Sequence, residues 1–345
     1  MNVNMRDAPT PYPVYTDLRW PLKTGIGNVL TELLARAPGH INVVDATVQG
    51  SIGSPLSPFA ISRALRKQKS PDGVFWSAGF VPPIACRLPS VVTVHDLTHL
   101  HFYSRLHRIY YNHILRPLYR RCSAVVCVSD YTRREFLAWS GMPAAKVHVV
   151  HNGVSRAYAE NQQRYELPYR YVLYPGNHRS YKNLERLVAA YARSSLPGHD
   201  VHLVMTGQPN PALMAQAGTL GVAPQLHFLG RVADADLPKL YKGAALVAFV
   251  SLYEGFGLPL VEAMASGVPV LTSNVSALPE VAGDAAWIVD PYSVAAIAAG
   301  LDIVLNNAAL RADLVGRGQQ QVARFDWDRS ASVLWSLVDD AYRRG

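Results

Sequence analysis

Residues 251–267 form the stretch that decides the fold of this 345-residue chain: Ser251-Leu-Tyr-Glu254-Gly-Phe-Gly257-Leu-Pro-Leu-Val-Glu262-Ala-Met-Ala-Ser-Gly267. An apolar run precedes this stretch, its glycines permit a tight turn, and Pro259 stands where the first turn of a helix accepts proline. The pattern predicts a strand, a loop and a helix whose N-terminal amides favour an anion such as a diphosphate. Glu254 then lies in the loop and Glu262 one turn inside the helix.

The same alternation of strand and helix patterns extends over the rest of the chain. Apolar runs predict strands at 41–46, 74–77, 90–95, 124–129 and 146–151, and at 171–175, 201–206, 225–228, 246–250, 269–272 and 286–289. Helical patterns between the runs are typical of βαβ units with parallel sheets. We therefore expect an α/β fold of two Rossmann-like domains facing across a cleft, with ligands outside the carboxyl ends of the strands.

The expected domains are 1–160, 161–325 and a last helix at 326–345 that crosses back to the first domain. The polar segment 154–168 is the expected linker. With 49% hydrophobic and 17% charged residues, the composition is that of a globular protein and excludes a disordered one. No apolar run has the length of a membrane span, and Met1–Trp20 lacks the apolar core of a signal peptide.

Cysteine usage and charge indicate the compartment and the partners. Cys86, Cys122 and Cys127 have no metal-ligand spacing, so we expect reduced core thiols in a cytoplasmic protein. Residues 1–165 hold 19 Lys+Arg and 9 Asp+Glu (+10), and residues 166–345 hold 14 and 16 (−2), which sum to the +8 of the chain. A basic half of this kind suits nucleic acid, an anionic membrane surface or a phosphorylated substrate.

A second motif follows the first strand of the second half: Tyr174-Pro-Gly176-Asn-His-Arg179-Ser-Tyr-Lys182-Asn183. It places two cations in one strand-to-helix loop, and Asn183 is expected to cap the helix that follows. Fixed cations suit a diphosphate leaving group, because its charge grows as the bond to it breaks. The alternative is an ordinary solvated basic loop.

The first half contributes glycines and histidines. Gly25 and Gly27 open a predicted helix and would let the backbone approach a ligand. The third glycine of a dinucleotide fingerprint is replaced by Leu30, which argues against a nicotinamide-dependent enzyme. His95 ends a predicted strand, with His99 and His101 in the loop beyond it. These histidines lack metal-ligand spacing with a carboxylate cluster, so we expect no essential metal.

Two glutamates eight positions apart with Gly-Phe-Gly between them, together with the Arg179/Lys182 loop, resemble the family-four glycosyltransferases of the GT-B fold. The resemblance extends from Thr16 to about Arg343. It implies an N-terminal acceptor domain and a C-terminal nucleotide-sugar domain, with Glu262 on the donor ribose and Glu254 beside the transferred sugar. The family often places its arginine directly before the lysine, where this chain has Tyr181, so Lys182 is the firmer assignment of the two.

The resemblance also implies the remaining site residues. Catalytic roles fall to Glu254, His95, Lys182 and Arg179. Donor binding falls to Gly25, Gly27, Arg179, Lys182, Val232, Glu254, Gly255, Phe256, Gly257, Leu258 and Glu262. The acceptor side is assigned to His99 and His101.

The activity implied is that of a retaining, metal-independent hexosyltransferase with no cofactor beyond its nucleotide-sugar co-substrate. The acceptor would be a glycan or a lipid-linked oligosaccharide. The motif variants resemble bacterial mannosyltransferases of surface-polysaccharide assembly, so GDP-mannose is the first expected donor and a UDP-sugar the alternative. An epimerase of the same fold would use the same cleft without an acceptor. A nucleic-acid-binding protein would explain the basic half but leaves Glu254 and Glu262 unexplained, so we expect no nucleic-acid partner.

The segment 105–121 is basic and aromatic and fits two descriptions. It is either an amphipathic helix lying on anionic lipid, or a surface helix that packs its Ile, Leu and Tyr side chains on the sheet. Arg63, Arg66, Lys67 and Lys69 would add to the same basic face. In the first case the protein would attach to the inner face of the plasma membrane.

Overall fold

The computed structural model describes residues 10–21, 24–68, 70 and 72–345, so Lys69 and most of the N-terminal segment lie outside the described residues. The chain divides into two compact units. Unit 1 runs to Asn152 and includes Trp327–Gly345, and unit 2 is Gly153–Asp326.

Unit 1 is built on a six-stranded, fully parallel sheet of order β2-β1-β3-β4-β5-β6. Its strands are β1 Tyr12–Thr16, β2 Ile41–Asp45, β3 Val74–Ser77, β4 Ser90–Val94, β5 Ala124–Cys127 and β6 Val147–Val149. Its helices are α1 Gly25–Leu34, α2 Ser57–Arg66, α3 Thr98–His101, α4 Arg105–Tyr110, α5 Arg116–Tyr119, α6 Asp130–Ser140 and, from the C-terminus, α15 Trp327–Arg344. A π-helical turn, Tyr111–Leu115, joins α4 to α5.

The C-terminal helix α15 belongs to unit 1 because its apolar stripe is buried in that core. Leu334, Trp335 and Val338 are almost fully buried. The Trp335 ring lies 5.1 Å from that of Trp76 on β3, and its indole N–H donates to Leu33 O at 3.2 Å. Burial of large aromatic side chains on this scale fixes a helix firmly to its sheet.

Unit 2 repeats the architecture with a parallel sheet of order β12-β11-β10-β7-β8-β9. Its strands are β7 Arg170–Tyr174, β8 Val201–Met205, β9 Leu226–Phe228, β10 Leu246–Phe249, β11 Val270–Ser273 and β12 Trp287–Val289. Its helices are α7 Arg156–Glu160, α8 Leu184–Arg193, α9 Pro211–Thr219, α10 Leu237–Gly243, α11 Leu258–Ala265, α12 Leu278–Ala282, α13 Val294–Asn306 and α14 Ala308–Val322. The predicted fold class, with two Rossmann-like α/β domains, is confirmed.

A strand and a short helix are among the elements that differ from the expectation. The strand β1 was not predicted, and α7 lies within the segment 154–168 that was expected to be irregular. The short helix forms because Ser155 caps it and because Tyr158 is buried edge-on against Tyr241, with ring centroids 5.3 Å apart.

Membrane-span criteria are not met by any single helix among the described residues. Only a pair bent by 95°, Val294–Asn306 with Ala308–Arg344, meets them jointly by length and composition. Most apolar residues of α13, such as Ile297, Leu301 and Val304, are buried in unit 2, and Ile303 is exposed.

Candidate active site

The strand order of unit 2 reverses between β7 and β10, which are neighbours in the sheet but far apart in sequence. The connections from β7 and from β10 therefore diverge to opposite sides of this point and leave a crevice at the carboxyl edge. Open α/β sheets bind their ligands at such a switch point. The loop after β7 contains Lys182 and the loop after β10 contains Glu254, so the structure brings both predicted residues to this crevice.

Lys182 and Glu254 form a nearly buried ion pair. Lys182 Nζ lies 2.6 Å from Glu254 Oε1, and the two side chains are only 10% and 13% exposed. The ammonium also lies 5.1 Å from the ring centroid of Phe249, a favourable cation–π distance. Because low polarity strengthens electrostatic interactions, the two opposite charges of this pair interact strongly and are held in fixed positions.

The position of Lys182 is fixed by the residue that follows it. Lys182 ends a 3₁₀ turn, Ser180–Lys182, and Asn183 adopts a left-handed conformation with φ 64°. The expected side-chain cap by Asn183 is wrong: its amide instead donates to Val250 O at 2.9 Å and to Pro291 O at 2.8 Å. A buried amide that satisfies two carbonyls ties the loop after β7 to the end of β10.

The loop after β11 holds Glu254 in place. The backbone N–H of Glu254 donates to Ser276 Oγ at 3.1 Å, and its carbonyl accepts from the Ala277 N–H at 3.3 Å. Ser276 has φ 59°, a left-handed conformation that costs energy outside glycine. Strain of this kind at a loop that positions a buried charge is typical of functional sites.

The helix α11 begins at Leu258, as predicted, and Gly257 provides the turn. Gly257 has φ 109°, and a Cβ there would lie 2.8 Å from Leu278 Cδ2. Only glycine fits this position, so the loop passes directly from Glu254 into the helix. Neither Gly257 nor Leu258 donates its N–H to another described residue, which leaves both amides for an anion.

Glu262 is half-buried on α11 and is bound by tyrosine. Tyr241 Oη donates to Glu262 Oε2 at 2.5 Å, and Tyr158 contacts the same carboxyl. Burial raises the pKa of the Glu262 carboxyl, and the hydrogen bonds from Tyr241 and Tyr158 offset part of that rise. The carboxyl is oriented by two hydroxyls and retains acceptor capacity for a further donor.

The other predicted residues of unit 2 are more peripheral. Arg179 is exposed, with Nη1 3.5 Å from Tyr181 Oη. Val232 is half-buried beyond the carboxyl end of β9, at the edge of the sheet. The Phe256 ring is buried edge-on against Phe325, with ring centroids 5.4 Å apart, so this side chain is not available to a ligand. Gly255 is buried between Glu254 and Phe256.

The predicted glycines of unit 1 differ from each other. The Gly27 N–H donates to Thr24 Oγ1 at 3.1 Å, so this amide already serves as the cap of α1. Gly25 is exposed, and a Cβ there would meet no atom within 4 Å. The Gly27 N–H is therefore not available to a ligand, and the close backbone approach expected at the two glycines stays a prediction.

His95 lies at the carboxyl end of β4, as predicted, with Nε2 2.6 Å from Ala78 O. Burial lowers the pKa of this imidazole, although the Ala78 carbonyl and Asp96 oppose the effect. A neutral ring whose Nε2–H donates to Ala78 leaves Nδ1 as an acceptor. The ring can therefore accept a hydrogen bond from a hydroxyl.

His99 and His101 lie in different surroundings. The His99 ring stacks on Tyr111 at 5.1 Å, and both residues line a cavity of about 340 Å³ in unit 1. The imidazole of His101 is exposed, contacts the Glu135 carboxylate and does not line this cavity. Of the two predicted acceptor residues, His99 lines this cavity and His101 does not.

The cysteines are poor nucleophiles. Cys122 and Cys127 are buried free thiols and Cys86 is half-buried. Burial raises the pKa of Cys122 to about 12 and raises that of the other two thiols, which leaves almost no reactive thiolate at neutral pH.

Sequence reasoning missed the residues that hold the charged groups in place: Ser276, Tyr241 and Tyr158. Each acts on a residue that is far away in sequence but adjacent in unit 2. A strand followed by Asn-Val-Ser276-Ala-Leu-Pro shows a strand-to-helix loop, but no local pattern indicates which backbone the serine will bind.

Comparison with known proteins matches both halves of the chain. Residues 31–158 match the family model described as Glycosyltransferase Family 4, and residues 158–321 match the model described as Glycosyl transferases group 1. O-antigen chain mannosyltransferase B of Escherichia coli is 34% identical over 217 residues, which cover 59% of this chain and 57% of that protein. Serotype-specific mannosyltransferase WbdA of Escherichia coli is 29% identical over 233 residues, 62% of this chain and 28% of WbdA.

The alignments thus span less than two thirds of the length of these relatives. Among solved structures, Anabaena Alr3699/HepE in complex with UDP and glucose has a TM-score of 0.72 at 19% identity, covering 95% of this chain and 99% of HepE. At this identity the likeness shows a shared fold.

Proposed function

Because the chain belongs to the glycosyltransferases that these two family models describe, we propose that it moves a hexose from a nucleotide-sugar donor to a glycan or lipid-linked acceptor in polysaccharide biosynthesis. The donor would bind in unit 2, at the switch point between β7 and β10. The observation that carries this proposal is the ion pair between Lys182 and Glu254 in that crevice.

The pair suits the chemistry of sugar transfer from a diphosphate. As the anomeric C–O bond breaks, negative charge grows on the diphosphate and positive charge on the sugar ring. Lys182 and the free amides at the start of α11 would stabilise the departing diphosphate. Glu254, held by Ser276, would bind sugar hydroxyls and stabilise the developing cation. Arg179 would add a second, more mobile cation.

Glu262 would bind the ribose of the donor. Tyr241 orients the carboxyl of Glu262, and Glu262 lies one turn inside α11, beyond the backbone N–H groups that would bind the diphosphate. The two vicinal hydroxyls of a ribose can both donate hydrogen bonds to the same carboxylate. Gly255, Phe256 and Val232 would contribute backbone and packing contacts around the same donor.

We propose that the reaction retains the anomeric configuration and needs no metal. In this path the acceptor hydroxyl attacks from the face on which the diphosphate departs, and it loses its proton to the departing phosphate oxygen. Lys182 supplies a positive charge beside the diphosphate, which is the role that a divalent cation fills in other transferases. His95 would accept a hydrogen bond from a donor sugar hydroxyl at Nδ1, and His99 would contact the acceptor.

GDP-mannose is the donor that we favour, because the sequence relatives are named mannosyltransferases. A UDP-hexose is the second candidate, because the related fold of HepE was solved with UDP and glucose. A thermal-shift series separates them: a donor at 100 times its Kd should add about 2.7 kcal/mol to the stability of the protein.

Transfer itself is tested with the stabilising donor and a mannose-containing acceptor, with and without EDTA. We expect an α-linked product from an α-linked donor, as measured by the anomeric carbon–proton coupling, and an unchanged rate in EDTA. Lys182→Met should lose transfer. Arg193→Met, which removes an exposed cation at the far end of α8, should keep it. An inverted product refutes retention, and release of free sugar or an epimer without acceptor would favour the epimerase.

A further inference from the structure

Helix α4 in unit 1 buries none of its residues, although half of them are apolar or aromatic. Leu106 is 75% exposed and Ile109 is 55% exposed, one helical turn apart. Contact with water does not stabilise these apolar side chains, and clusters of exposed apolar groups usually mark an interaction surface.

A second exposed apolar group lies beside α4. Tyr110 Oη donates to Pro55 O at 2.9 Å, which holds the start of α2 against α4. Leu56 and Phe59 at that start are 70% and 51% exposed. Leu56, Phe59, Leu106 and Ile109 together are called the apolar face.

Cations stand in both segments that carry the apolar face, and acidic residues are missing from these two segments. Arg63 and Lys67 line a cavity of about 430 Å³ together with Leu56 and Phe59, and Arg105 and Arg108 flank Leu106. In the sequence, residues 46–71 hold four Lys+Arg and residues 97–129 hold five arginines, with no acidic residue in either range. Within the described part of the chain, none of Arg63, Lys67, Arg105 and Arg108 forms an ion pair.

The second half of the segment 105–121 behaves differently. From the last residue of the π turn onward, Leu115, Leu118 and Tyr119 are buried. Arg116 and Arg120 both donate to Ser140 O, the last carbonyl of α6, at 3.4 and 2.9 Å. Leu118 and Tyr119 thus fit the description of a helix that packs on the sheet, whereas residues 105–110 stay exposed.

We propose that the apolar face of unit 1 binds the surface of a bilayer that contains anionic phospholipid. Leu56, Phe59, Leu106 and Ile109 would enter the headgroup region, and the surrounding cations would meet lipid phosphates. A second copy of this chain is a poorer occupant, because an isologous contact would oppose the same unpaired cations. Nucleic acid would satisfy the cations and leave the apolar side chains unused.

Co-flotation with vesicles tests the proposal. The intact protein should float with vesicles of phosphatidylcholine and phosphatidylglycerol, bind pure phosphatidylcholine vesicles at least tenfold more weakly, and lose affinity as salt rises. Leu106→Ser with Ile109→Ser should reduce the partition coefficient at least tenfold, because both side chains lose their transfer into the interface. Arg105→Gln and Arg108→Gln should each reduce it about fivefold.

The matched control removes two exposed apolar residues of unit 2, Leu220→Ser with Ile303→Ser, and should bind vesicles like the unchanged protein. Equal binding by the Leu106/Ile109 variant and the control overturns the proposal. So does binding that ignores lipid charge, or a change from dimer to monomer in sedimentation of the Leu106/Ile109 variant, which would identify a second copy as the occupant. Thermal shifts with GDP and UDP report on unit 2 alone, so failure of donor binding is distinguishable from failure of lipid binding.

Discussion

Breaking the ion pair between Lys182 and Glu254 should lower stability whichever partner is removed, but it should change diphosphate binding in opposite directions for the two partners. At 2.6 Å and an effective dielectric constant of about 20, the direct attraction is ~6 kcal/mol before desolvation is subtracted. Removal of one member of a buried pair typically costs about 3–5 kcal/mol, because the other charge stays buried and unpaired. We take the lower end, since both side chains keep slight exposure.

Lys182→Met and Glu254→Gln should therefore each lower the free energy of unfolding of unit 2 by about 3 kcal/mol, or ~6–12 °C in the thermal midpoint. The double variant should lose less than the sum of the single variants, because no unpaired charge remains. Diphosphate binding separates the two single variants. Glu254→Gln leaves an uncompensated ammonium and should bind GDP or UDP more tightly than the unchanged protein, although it loses sugar transfer, while Lys182→Met should lose both.

The measurements are denaturation of the four proteins, calorimetric titration with GDP and UDP, and initial transfer rates with the active donor. Arg193→Met is the control for loss of one positive charge on α8. A coupling energy below about 0.5 kcal/mol in the double-mutant cycle would show that the pair contributes nothing in solution. Weaker diphosphate binding by Glu254→Gln would show that the carboxylate supports the diphosphate site rather than opposing it.

Three further substitutions probe the elements around the pair, and a fourth, Gly316→Ala, serves as a control. Burial raises the pKa of the Glu262 carboxyl above its ordinary value of 4.5. The contribution of this group to stability is therefore complete below pH 4.5 and is lost as the pH rises through the folded pKa. Glu262→Gln should flatten this loss when thermal midpoints are measured from acid to neutral pH. Tyr241→Phe should raise the donor KM up to about tenfold with a smaller change in kcat, because it removes a hydrogen bond that orients Glu262, and an unchanged KM would count against ribose binding by that carboxyl. Gly257→Ala should cost about 1–3 kcal/mol in denaturation, because φ is 109° and the new Cβ meets Leu278. Gly316→Ala, at an open position within α14, should instead stabilise by about 0.5–1 kcal/mol, and equal effects at the two glycines would contradict the geometry.

The sequence predicted eleven of the twelve strands, because runs of buried β-branched residues mark central parallel strands whatever surrounds them. β1 was missed because Pro13 stands inside it, and proline argues against a strand that is paired on both sides. The structure tolerates Pro13 beside Gly73, where any side chain would collide with the Pro13 carbonyl. That compensation comes from a residue 60 positions away and is invisible in a local pattern.

The candidate site also has features that the sequence predicts and features that it does not. Short motifs identify Lys182, Glu254 and the start of α11, because a loop that binds an anion needs glycine, proline and charged residues at fixed spacings. Asn183 was given the role of a local cap, and the structure uses its amide to join β10 to the loop before α13. A side-chain amide serves whichever carbonyls tertiary packing brings near it, so sequence spacing could identify the residue but not its partners.

The placement of charge connects the two proposals. In the sequence, the net charge of +10 in residues 1–165 suited a phosphorylated ligand, among other anionic partners. The diphosphate site proposed here lies in unit 2, where Lys182 is already neutralised by Glu254, and residues 166–345 carry −2. The proposed donor site would thus depend on a few oriented groups in a region of low polarity and not on net charge. Within the described part of the chain, the cations of residues 63–67 and 105–108 form no ion pair and are exposed, and a phospholipid surface, which is both anionic and apolar, is the partner that we propose for them and the apolar face.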